Sequence, residues 1–61
     1  MSQLLTKREV AETLRVSTRT VGRYVKSGLL RPIRVSEQVV RFYRDDLERF
    51  LSEARKAQGR D

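Results

Sequence analysis

The sequence predicts a mainly α chain carrying one small β-hairpin, and three observations lead there. Apolar residues recur at helical spacing in "LLTKREVAETL" and again in "TRTVGRYVK". Beyond Gly28 the period falls to two, through Ile33 and up to Phe42, and a last helical stripe follows in "RDDLERFLSEARKA". At 61 residues the chain has the size of one domain, expected to span 1–61 with an ordered core over 4–55 and a frayed tail over 56–61.

The first helix opens at Thr6, whose side chain can cap it while Glu9 returns a bond to the Thr6 backbone and Leu5 staples onto Val10. Val10, Ala11 and Leu14 then share a face, so the helix is expected over Lys7 to Leu14. Arg15-Val16 leaves room only for a tight turn, and Ser17 supplies a second cap. In the second helix Val21, Tyr24 and Val25 face the core, together with Val10, Leu14, Val16 and Leu29. Gly28 stands where a left-handed residue would end the helix, and Lys26 suits the negative end of its dipole.

In the hairpin, Ile33 and Val35 alternate with Arg34 and Ser36, and Val40 and Phe42 alternate with Val39 and Arg41. Ser36-Glu37-Gln38 makes the loop, and Pro32 sits at the start of the first strand, where a missing N–H is tolerated. This alternation expects Arg34 and Arg41 on the outward face, opposite one another. A lone pair of strands is marginal in water and needs a helix beneath it. The third helix provides one: Leu47, Phe50, Leu51 and Ala54 share a face, with Asp45 and Asp46 at the positive end and Arg55 and Lys56 at the negative end. Helix, turn, helix, hairpin, helix is a helix-turn-helix followed by a wing.

Charge narrows the choice of partner. Fourteen Lys and Arg against eight acids leave +6 at pH 7, an excess suited to nucleic acid or an anionic surface. Residues 15–44 hold eight of the basic residues and a single acid, Glu37, for +7, while the rest sums to −1. The middle of the chain is therefore the contacting part. With no Cys and no His there is no disulfide framework, no ordinary zinc site and no histidine acid or base, and no metal or other cofactor is expected. No apolar run is long enough to span a membrane and no signal peptide is evident, so the reading is a soluble protein of the cytoplasm.

With Val21, Tyr24 and Val25 turned inward, Ser17, Thr18, Arg19, Thr20, Arg23 and Lys26 remain for the opposite side and the N-terminal end of the second helix. The major groove of double-stranded DNA admits one helix, whose N-terminal residues reach base edges. Arg19 and Arg23, one turn apart, can enter the same groove, each either reading guanine or gripping phosphate. Ser17 and Thr18 suit phosphate, although Ser17 is needed as a cap in any case. Arg34 and Arg41 on the hairpin suit an adjacent minor groove or backbone. Asp45 and Asp46 have neither a third ligand nor a base beside them, and complement the dipole. Tyr24 is spaced as core and Tyr43 lies beside a strand end with no activating His and Arg set, so no recombinase chemistry is expected.

"LLTKREVAETLRVSTRTVGRYVKSGLLRPIRV" with the closing "VVRFYRDDLERFL" resembles the small winged-helix proteins of the excisionase group, related to the DNA-binding domain of MerR-type regulators. The resemblance runs from about Leu4 to Leu51. It implies that the helix of Ser17 to Lys26 enters the major groove and the wing contacts the neighbouring minor groove. It also implies copies bound side by side, head to tail, on repeated sites near an attachment site, bending DNA and helping an integrase to excise. The implied contacts are firmest for Arg19, Thr20 and Arg23 and, on the wing, Arg34 and Arg41. MerR-type regulators continue into a dimerisation helix and effector domain, so the length points to a stand-alone excisionase of a temperate phage or integrated element. Two features depart from the group. Many relatives carry a glycine and basic residues at the wing turn, where Glu37 here would repel phosphate. Gly22 replaces a larger residue, either to admit close approach to DNA or for no reason. A small phage repressor of the same fold is the alternative role, and an adaptor for an acidic protein is a third.

Overall fold

A computed structural model describes residues 3–58 as β1 (Leu4–Leu5), α1 (Lys7–Leu14), α2 (Thr18–Lys26), β2 (Ile33–Arg34), β3 (Val40–Tyr43) and α3 (Arg44–Gln58). The expected architecture is present, mainly helical with a hairpin wing, and one strand is added to it. β1 pairs antiparallel with β3, Leu4 opposite Tyr43 and Leu5 opposite Phe42, so the sheet has three strands in the order β1-β3-β2. The pairing continues past the strand, where Arg44 N–H donates to the Gln3 carbonyl at 2.8 Å and the Arg44 guanidinium to the Gln3 side chain at 3.2 Å. A two-stranded wing thus gains the third strand that independent stability requires.

Thr6 Oγ1 accepts from Glu9 N–H at 3.0 Å, and Thr6 N–H donates to the Glu9 carboxylate at 2.8 Å, closing the expected capping box on α1. Both α1 and α2 end in the same way. At α1, Arg15 N–H donates to Glu12 O and Val16 N–H to Ala11 O; at α2, Gly28 N–H donates to Val25 O and Leu29 N–H to Tyr24 O. In each motif one residue takes the left-handed conformation, Arg15 at φ 59° and Gly28 at φ 86°. These two reversals set α1 against α2 and then turn the chain back towards the sheet.

The core consists of Val10, Ala11, Val21, Leu30, Phe42 and Leu47, with Leu5, Leu14, Val16, Tyr24, Val25, Val40 and Phe50 half-buried around it. Each of the three helices and the central strand contributes to it. The rings of Tyr24 and Phe50, 5.2 Å apart and tilted by 41°, join α2 to α3. Tyr24 therefore packs as its spacing predicts.

Three expectations about packing are corrected. Leu29 is 56% exposed and Leu30 takes the core position, because the chain turns through Gly28 and the second leucine, not the first, arrives pointing inward. Leu51 and Ala54 are exposed, although they share the face of Leu47 and Phe50. α3 outruns the body it packs on: α1 and α2 have eight and nine residues against its fifteen, and residues 51–57 in its outer half are all exposed. α3 also includes residues 56–58, assigned by sequence to the tail; the rest of that tail, 59–61, lies outside the described residues.

The third correction concerns the wing. Arg34 pairs with Val40 and Arg41 with Ile33, so Arg34 and Arg41 lie on opposite faces rather than across from one another. The hairpin bonds explain the shift. Val39 N–H donates to Ser36 O, closing a tight turn at Glu37-Gln38, and the Val39 carbonyl accepts from both Val35 and Ser36 N–H, at 2.8 and 3.2 Å. Two residues of one strand thus oppose one of the other, which is a β-bulge, and below it every side chain of the first strand changes face. Val35 is accordingly exposed and Phe42 remains in the core.

Candidate nucleic-acid interface

Ser17 Oγ accepts the Thr20 N–H at 3.2 Å and lies 3.2 Å from the Thr20 hydroxyl, so the N-terminus of α2 is capped and its first turn is held. A β-conformation at Ser17, following the left-handed Arg15, starts α2 only two residues after the turn begins. Thr18, Arg19, Arg23 and Lys26 are exposed on this helix, and Thr20 is half-buried with its hydroxyl engaged by Ser17. The structure therefore gathers the α2 candidates on one element, with Arg19, Arg23 and Lys26 on the side away from Val21. Thr20 and Arg23 also line a shallow groove with Tyr24, Ser27 and Leu29.

α2 contains three cations and no acid. Arg8 pairs with Glu12 at 3.8 Å on α1 and Arg44 with Glu48 at 3.3 Å on α3, whereas Arg19, Arg23 and Lys26 meet no acid within salt-bridge reach among the described residues. Arg19 and Arg23 are also like charges at i, i+4, an arrangement that costs a helix about 0.2–0.5 kcal/mol. A face of one sign with no internal counterion carries a positive potential that attracts polyanions.

The wing candidates are not brought together with each other. Arg34 is exposed. Arg41 is half-buried on the other face, and its guanidinium donates to the Val40 carbonyl at 2.8 Å. Glu37 occupies the exposed turn. Asp45 and Asp46 lie in the first turn of α3, where the dipole favours them. Gly22 is half-buried, and a Cβ there would stand 3.3 Å from Lys7 Nζ, so the space it leaves is filled by a side chain of α1. Lys7 is a basic neighbour of α2 that the sequence did not single out. Its only sequence signal is indirect, a glycine inside a helix. No helix among the described residues is long and apolar enough to cross a membrane.

Two helices crossing at a tight turn, an all-basic exposed face on the second and a hairpin beside them define a winged helix-turn-helix protein. The helix-turn-helix domain family matches residues 4–55. An excisionase of Mycobacterium phage D29 is 35% identical over 51 residues, which cover 84% of this chain and 91% of the phage protein. The chain belongs to the helix-turn-helix domain family, as an excisionase-like member.

Proposed function

We propose that this protein is an architectural DNA-binding factor that recognises repeated sites near a recombination attachment site, bends the duplex, and directs a partner integrase towards excision. It performs no chemistry of its own. The observation that carries the reading is the exposed face of α2, three cations with no acid on their helix and none within salt-bridge reach among the described residues, on a helix whose start is fixed by Ser17. Similarity to a phage excisionase over most of both chains supplies the role.

α2 occupies the major groove with Arg19 and Arg23 towards base edges, and Thr18 and Lys26 towards phosphates. Ser17 and Thr20 support it, their hydroxyls being engaged with each other at the helix start. Arg34 meets the flanking backbone from the wing. Arg41, half-buried on the opposite face of the wing, is the lesser contributor. One domain of this size buries only about 600–1,000 Å² on DNA, a limited basis for specificity. Neighbouring copies in head-to-tail contact along tandem sites supply the rest, and because such contacts do not close on themselves they curve the duplex. The site of action is the cytoplasm of a bacterial host.

Gel shifts on circularly permuted fragments bearing tandem sites test this. Cooperative filling, with mobility that depends on the position of the sites, is the expected result. Independent filling, or mobility indifferent to position, would remove the architectural role and favour a repressor.

A further inference from the structure

The meeting of Lys7 with Gly22 joins two residues that each sit badly where they are. Glycine inside a helix costs about 1 kcal/mol relative to alanine. Gly22 is in the middle of α2, with helical φ. A lysine in the first turn of a helix faces the positive end of the dipole, which disfavours cations. Lys7 is the first residue of α1, and it has no acid within salt-bridge reach among the described residues. Neither choice helps its own helix.

Together they place a charge. At 3.6 residues per turn, Gly22 lies on the border between the core stripe of Val21 and Val25 and the basic stripe of Arg19 and Lys26. A Cβ at that border would be 3.3 Å from Lys7 Nζ and 3.8 Å from its Cε, so the missing side chain is the slot in which the lysine lies. Lys7 is exposed, and its ammonium reaches α2 beside the cations of the exposed face. In a helix-turn-helix the first helix crosses the DNA backbone while the second enters the groove.

We infer that Lys7 is a DNA-contacting residue, a phosphate clamp supplied by α1 and held at the edge of the α2 face by the absence of a side chain at Gly22. The inference rests on the DNA-binding reading and deepens it. Gly22 then acts as a positioning residue through Lys7, without contacting DNA itself. A phosphate contact carries no sequence information, so Lys7 adds equally to binding on specific and random duplexes.

The test is a cycle of Lys7→Gln, Gly22→Leu and the double variant, with duplex binding followed by fluorescence anisotropy from 50 to 300 mM NaCl and folding by thermal melts. Lys7→Gln should weaken binding about five- to tenfold near 0.1 M salt and reduce the log–log salt slope by about 0.9, one phosphate contact, on both duplexes. Lys7→Arg should retain the slope. Gly22→Leu fills the slot, and should lower affinity to the level of Lys7→Gln while melting no lower than the parent. The double variant should bind no more weakly than either single one. An unchanged slope for Lys7→Gln, or losses from the two substitutions that multiply, would overturn the inference. A parent protein that shows no salt-dependent binding to duplex DNA would instead overturn the DNA-binding reading beneath it.

Discussion

Arg15 and Gly28 occupy the same position in the same helix-ending motif, and only one of them is a glycine. Replacing Arg15 with glycine therefore isolates a backbone effect. An L-residue in the left-handed region pays about 1–2 kcal/mol, while glycine loses about 0.5–1 kcal/mol more chain entropy on folding. The difference leaves Arg15→Gly more stable by about 0.5–1 kcal/mol. Over 61 residues the unfolding entropy is about 0.13 kcal/mol/K, so the melting temperature should rise by about 4–8 °C. Gly28→Ala is the mirror experiment. Among the described residues, its chain neighbours aside, nothing stands within 4 Å of a Cβ built at Gly28, so no tertiary clash accompanies the substitution and the φ of 86° should lower the midpoint by a similar amount. Circular dichroism melts of the three proteins at 0.1 M salt measure both shifts. A fall in melting temperature for Arg15→Gly would refute the reasoning, since the arginine would then be held by interactions stronger than its strain.

Other substitutions separate folding from binding. Arg23→Ala should cost about 1–3 kcal/mol on a specific site and relax preference at one base pair, whereas equal losses on specific and random duplexes would reduce it to a phosphate contact. Neutralising the phosphate contacts of α2 and the wing, about four to six in all, predicts a salt slope near −4 to −5 for the parent protein, and a slope near zero in anisotropy titrations would reject DNA binding. Arg34→Gln should reduce that slope by about 0.9 and Arg41→Gln should reduce it by less, because the bulge turns the two side chains to opposite faces and Arg41 is half-buried with one guanidinium N–H held by the Val40 carbonyl. Phe42→Ala removes the largest fully buried side chain and should cost about 3–5 kcal/mol, enough to unfold a domain of this size at room temperature, as far-UV circular dichroism would report.

Helix starts were the most legible part of this sequence. Thr6 with Glu9, and Ser17 ahead of Thr18, satisfy backbone donors within three residues of themselves, so their roles depend on nothing distant. The face of α2 was equally readable, because Val21, Tyr24 and Val25 leave only one side for the basic residues. What escaped was decided at long range. β1 has two residues, too few for any period, and is a strand only because Tyr43 and Phe42 come to lie beside it. The exchange of Leu29 for Leu30 followed from the geometry of the turn at Gly28, and the outward position of Leu51 from the shortness of the helices beneath α3. The wing register depended on one carbonyl, that of Val39, accepting two bonds instead of one. Lys7 escaped because its neighbour, Gly22, is fifteen positions away and offers no side chain to pair with.

The shortest strand has a mechanical consequence. Leu5 lies opposite Phe42 and Leu4 opposite Tyr43, so β1 and β3 form a clasp, and α1, the turn, α2 and β2 are all looped between its two halves. Because the pair is antiparallel, the leading end of the chain and α3 leave it from the same side, at Leu4 and Tyr43. Tension between the two ends would open the clasp like a zipper, one bond at a time from the Gln3–Arg44 end, before any load reached the helix-turn-helix. A tug on α3 would in this way be absorbed at the clasp, while α1 and α2 stayed packed on each other.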